Sequence, residues 1–139
     1  MFAKIVAGLC HLKKVKSLIY RHNEFGEKAA EAMKPLLNKF LPHNIDLLRL
    51  EHCRTSDHAF GSLINTLISD GVMGNLSLIG FTFNKVNSEV FNKYLGTRKY
   101  LKELDLSSCK MVPGQALSLL QVISTNKIMK LNALKLANI

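Results

Sequence analysis

Two histidines, three cysteines and a cluster of cations carry most of the chemistry available to this chain of 139 residues. His22 and His52 stand in like contexts, one residue ahead of Asn23 and Cys53. Two imidazoles side by side can begin a zinc site, but the third ligand is missing because Cys53 is expected to face inward. Both histidines are therefore read as structural or solvated, and His11, His43 and His58 have no partner at a recognisable spacing. Cys10, Cys53 and Cys109 are odd in number and far apart, with no CxxC. That pattern points away from a disulfide framework or zinc finger and toward a reducing, intracellular setting. No GxGxxG, Walker loop, HExxH, GxSxG or EF-hand spacing occurs. The chain is read as non-enzymatic, with no catalytic residue, metal or cofactor.

Charge narrows the partners. Nineteen Lys and Arg against ten Asp and Glu leave a formal +9, which favours an acidic partner. The last acid is Asp105, and Lys110, Lys127, Lys130 and Lys135 follow it. A basic cluster of Lys93, Arg98, Lys99 and Lys102 falls just before a strand. Four charges there could meet phosphate or an acidic protein. Base recognition wants aromatic platforms among the charges, and only Tyr94 and Tyr100 lie nearby, so an acidic protein is preferred to nucleic acid. No run of 18 or more apolar residues exists, so no membrane-spanning helix is expected. The sequon Asn75-Leu76-Ser77 has meaning only in a secreted chain.

The elements that must position these residues are written in a recurring pattern. With 47% apolar residues, a chain of this length can bury roughly 70% of its unfolded surface in one domain. Five segments share the order apolar, two spacers, apolar, one spacer, apolar: Val15-Leu18-Tyr20, Ile45-Leu48-Leu50, Leu76-Ile79-Phe81, Leu101-Leu104-Leu106 and Leu131-Leu134-Leu136. Three residues past the last apolar position of the first four come Asn23, Cys53, Asn84 and Cys109, and two further on Phe25, Thr55, Val86 and Met111. Period-two patterning predicts strands near 17–21, 47–51, 78–82, 103–107 and 133–136. Helical spacing predicts helices near 2–13, 26–40, 57–70, 88–96 and 114–126. Pro35 is expected to kink or restart its helix, and Pro113 suits a helix entry.

This pattern resembles the leucine-rich repeat, LxxLxLxx[N/C]xΦ. Gly26 leading into Ala29, Ala30, Ala32 and Met33 resembles the helical half of its ribonuclease-inhibitor-like subclass. The resemblance covers nearly the whole chain. It implies an α/β solenoid over 1–139: a right-handed arc with parallel strands concave and helices convex, a capping helix at 1–14, and units starting near 15, 45, 76, 101 and 131. The third unit is short. Asn23, Cys53, Asn84 and Cys109 are expected to form a ladder of inward side chains that bond backbone groups at the turns. The resemblance further implies a protein-interaction scaffold within a larger assembly, cytoplasmic or cytoskeletal, such as a ciliary axoneme. An open fifth strand implies either a longer array or docking on another chain.

With that register, outward strand positions read Ile19, Arg49, Gly80, Asp105, Lys135 in one column and Arg21, Glu51, Thr82, Ser107, Ala137 in the next. Arg21 with Glu51, and Asp105 with Lys135, are expected to pair across strands. Leu47, Leu78 and Phe83 are apolar where solvent is expected, and with Arg49 and Arg21 they form the candidate partner-binding surface.

Overall fold

A computed structural model describes residues 2–40, 45–69 and 73–139. Helix α1 (Phe2–Leu9) precedes β1 (Ser17–Arg21), the short β2 (Glu24–Phe25) and α2 (Glu27–Phe40). Strand β3 (Leu47–Glu51), the short β4 (Arg54–Thr55) and α3 (Asp57–Ser69) repeat the order. Then follow β5 (Asn75–Ile79), α4 (Lys85–Gly96), β6 (Glu103–Asp105), α5 (Pro113–Thr125) and β7 (Ala133–Lys135). The five main strands form one parallel sheet in the order β1-β3-β5-β6-β7, and β2 pairs with β4 in a second, two-stranded ladder. Each crossover between neighbouring parallel strands is a helix, as parallel pairing requires, and each helix packs on the next along the chain.

Local chemistry accounts for the helix starts. Ser56 Oγ accepts from the Ala59 N–H at the entry of α3, satisfying one of the first-turn donors. Asn84 and Asn87 bond each other's backbone N–H reciprocally at the entry of α4. At α5, Pro113 occupies the first turn, where its missing donor costs nothing. Helix α2 runs through Pro35 as one continuous helix, so it does not restart there. Helix α1 is shorter than expected: it stops at Leu9, and Lys39 Nζ bonds the carbonyls of Cys10 and Leu12 beyond its end.

Packing selects the sheet register. Leu18, Leu48, Leu76, Leu104 and Leu134 lie opposite one another across the strands. Together with Tyr20, Leu50, Leu78 and Leu106 they face the helices and join one apolar cluster. The third segment therefore reads Met73-Leu76-Leu78, three residues earlier than the sequence pattern placed it, and β5 spans 75–79 instead of 78–82. The starts Val15, Ile45, Met73, Leu101 and Leu131 are then spaced by 28 or 30 residues, and no unit is short.

Backbone conformation carries the same period. His22, His52, Gly80, Ser108 and Asn138 all have positive φ, between 49° and 75°. Each sits two residues past the last apolar residue of its segment, and at the first four of them the chain turns out of the main sheet. An L-residue in this region costs roughly 1–2 kcal/mol, and a short polar side chain reduces the cost by bonding locally. At Gly80 the requirement is stricter: a Cβ there would run into the imidazole of His52.

Candidate functional site

The shift in register rearranges the expected surface. Leu78 is 0% exposed and Phe83 is also buried, so neither belongs to a partner-binding face. Phe83 and Phe81 lie in the core with Phe60 and Phe91, at ring separations of 5.5–6.2 Å. Leu47 and Arg49 are half-buried on the outward face of β3, and Arg21 is exposed at the end of β1. The outward columns read Ser17, Leu47, Asn75, Glu103, Ala133 and Ile19, Arg49, Ser77, Asp105, Lys135. Ser77 replaces Gly80 in the second of these. It is 2% exposed, and its Oγ and the neighbouring Arg49 Nε are buried without a hydrogen-bond partner among the described residues. The centre of this face is thus polar, where the sequence pattern placed an apolar anchor. Arg21 stands in register with Glu51, but the two form no ion pair among the described residues. Lys135 reaches Glu103 at 3.9 Å, not Asp105, whose carboxylate accepts from the Ser107 N–H.

The turn positions divide. Cys53 Sγ donates to the carbonyls of Tyr20 (3.5 Å) and Glu51 (3.4 Å), and Cys109 Sγ to that of Leu78 (2.8 Å). Both thiols are buried, and burial pushes their pKa up, to about 11 for Cys109. A thiol held protonated and enclosed is a poor nucleophile and a poor metal ligand. Asn23 is exposed, and its side-chain amide donates to the Arg21 carbonyl at 2.9 Å. Asn84 is not at a turn position at all. It caps α4 and donates to Asp57 Oδ1 at 2.7 Å, while Phe81 fills the slot below the turn. The imidazoles of His22 and His52 stack with centroids 5.5 Å apart and planes 12° from parallel. Among the described residues no three His, Cys, Asp or Glu side chains group so as to hold a metal ion.

The basic cluster also divides. Lys93, Lys99 and Lys102 are exposed, but Arg98 is only 7% exposed. Its guanidinium donates to the carbonyls of Leu67 (3.0 Å) and Ile68 (3.3 Å) near the end of α3 and lies 4.8 Å from the Tyr94 ring centroid. A cation there satisfies carbonyls at a helix C-terminus, where the helix dipole favours positive charge. Arg98 is a bolt that ties the segment after α4 to the end of α3, and its side chain is withdrawn from the surface.

What the bolt holds is a cleft. Lys99, Tyr100 and Lys102 ahead of β6, and Ile128, Lys130 and Asn132 ahead of β7, enclose a volume of about 490 Å³. Two polar anchors fix its walls. Asn126 Nδ2 donates to the Leu95 and Arg98 carbonyls at 2.7 and 2.9 Å, and its Oδ1 accepts from the Ile128 and Met129 N–H groups. The Asn132 N–H donates to the Lys102 carbonyl at 2.7 Å, joining the two strand entries. On this frame Tyr100 is 58% and Ile128 63% exposed. The three lysines around them make no ion pair among the described residues, and no acid lines the cleft. Sequence reading found Lys99 and Lys102 with Tyr100 beside them but missed Ile128, Lys130 and Asn132 as their neighbours. One signal was present: Lys102 and Asn132 occupy like positions, each one residue past the first apolar position of its unit, at Leu101 and Leu131.

A second cleft, of about 380 Å³, opens between Arg54-Thr55 and Thr82, over Phe60 and Phe81. A larger groove of about 570 Å³ lies between α2 and α3, but it is polar, and its Lys34 already pairs with Glu31 at 2.8 Å. No helix among the described residues is long and apolar enough to cross a membrane. Compared with known proteins, the chain matches no family model and no curated protein.

Proposed function

We propose that this chain is a leucine-rich-repeat solenoid, a right-handed arc with strands concave and helices convex, that works as a non-enzymatic protein-interaction module inside an intracellular assembly. Sequential parallel strands, each joined to its neighbour by a helix, support the arc, since such crossovers are right-handed in nearly all proteins. The left-handed turn residue in every unit and the buried thiols of Cys53 and Cys109 bonded to turn carbonyls support the repeat. The observation that carries the function is the pair Tyr100 and Ile128, exposed on braced loops and rimmed by lysines. A rigid apolar centre inside a charged rim is the anatomy of a protein interface.

Immobilised chain should retain a protein from nuclease-treated cell extract, and free chain should compete for it. Retention that vanishes with nuclease treatment refutes the reading. One observation favours a second reading, a phosphate- or RNA-binding accessory subunit: Lys99, Lys102 and Lys130 converge with no acid between them. In that case log affinity falls with log salt by roughly 0.7 per phosphate contact on single strands.

A further inference from the structure

We propose that the cleft between the entries of β6 and β7 binds an acidic segment of a partner protein with one or two large apolar side chains at its centre, seated between Tyr100 and Ile128 with the flanking carboxylates on Lys99, Lys102 and Lys130. This rests on the reading of the chain as a protein-interaction module and names the partner chemistry of one site. Three features select this occupant. The cleft holds about 490 Å³, enough for a few side chains, and two exposed apolar groups stand among its cations. A small inorganic anion makes no use of Tyr100 and Ile128. A single strand of RNA gains affinity from successive stacking platforms, and this cleft supplies one, Tyr100. A second copy of the chain would bring lysine to lysine, since the formal charge is +9 and no acid follows Asp105. Acidic protein sequence with a buried anchor satisfies both the charge and the apolar centre. The bracing matters as well: the Asn126 and Arg98 side chains hold the backbone of this region in place, so the cost of ordering on binding falls mainly on the side chains.

The test is fluorescence anisotropy with three labelled probes. One is a peptide of roughly twelve Asp and Glu residues with Phe-Leu at its centre, the second the same peptide with Gly-Gly there, and the third a polyuridylate of similar length. The Phe-Leu peptide should bind the chain at least about fivefold more tightly than the Gly-Gly peptide, and the double variant Y100S/I128S should erase that difference. The triple variant K99E/K102E/K130E should lose about tenfold or more while keeping its thermal unfolding midpoint, and the glutamine triple variant should lose less. Equal binding of both peptides overturns the proposal. So does polyuridylate binding more tightly than either peptide and unaffected by Y100S/I128S. If the chain retains a protein from extract and the triple charge reversal leaves that retention unchanged, this site is refuted while the module reading stands. If neither peptide binds and no protein is retained, both fail.

Discussion

The three-residue shift in the third segment can be tested with two neighbouring side chains. The structure places Leu78 wholly inside the core and Ile79 half-exposed on the outward face opposite Glu51. The alternative phase, Leu76-Ile79-Phe81, exchanges their roles. A leucine that is fully buried loses about 2–5 kcal/mol on truncation to alanine, through lost transfer energy and the cavity left behind. A half-exposed side chain on a sheet face loses less, about 1 kcal/mol or below. With a urea m-value near 1–3 kcal/mol/M, Leu78→Ala should lower the unfolding midpoint by roughly 1–2 M and Ile79→Ala by about 0.5 M or less. Equilibrium urea denaturation followed by far-ultraviolet circular dichroism reads both. Leu50→Ala, opposite Leu78 across the strands, and Leu106→Ala, equally buried, should match Leu78→Ala. Should Leu78→Ala leave no folded baseline, Leu78→Val serves, with a loss of about 1 kcal/mol. A larger loss from Ile79→Ala than from Leu78→Ala refutes the register and the assignment of the outward columns with it.

Further tests address individual positions. Gly80→Ala should destabilise by roughly 2 kcal/mol or more, from the left-handed backbone at φ 75° and the approach to His52; adding His52→Ala should restore only the second part in thermal melts. Arg98→Ala should cost about 1.5–3 kcal/mol by unpairing buried carbonyls of α3, and Arg98→Lys should recover little, since an ammonium lacks the fork that reaches two carbonyls. Burial pushes the Cys109 thiol up to about 11 from the ordinary thiol value near 9. Burial disfavours the thiolate, so this contribution to stability is full below pH 9 and lost as pH rises toward 11; Cys109→Ala should flatten that part of the pH profile of the urea midpoint. Under native conditions a thiol reagent should label the half-buried Cys10 before Cys53 or Cys109.

Reasoning from spacing alone succeeds where one pattern has one solution. In Leu101-Leu104-Leu106 every intervening residue is charged, and in Ile45-Leu48-Leu50 the intervening residues are Asp46, Arg49 and a single further leucine, so one phase buries the leucines, and β3 and β6 start where expected. Over 73–83 apolar residues stand at Met73, Leu76, Leu78, Ile79, Phe81 and Phe83, and the same template fits in two phases. Side-chain parity along a strand then decides which face each residue takes, and a shift by an odd number of positions reverses all of them. That single ambiguity put Leu78 and Phe83 on the surface and Asn84 below a turn.

The chain's order of residues by itself determined the alternation of strands with helices, Cys53 and Cys109 as turn residues, and an excess of cations. These follow from local periodicity and composition, which each segment carries without its neighbours. Tertiary structure alone decided the phase of β5, the burial of Arg98 against the end of α3, and the meeting of Lys99, Tyr100 and Lys102 with Ile128 and Lys130. Those outcomes depend on contacts between residues about 30 positions apart, where packing and hydrogen-bond satisfaction choose among arrangements that local preference leaves equivalent.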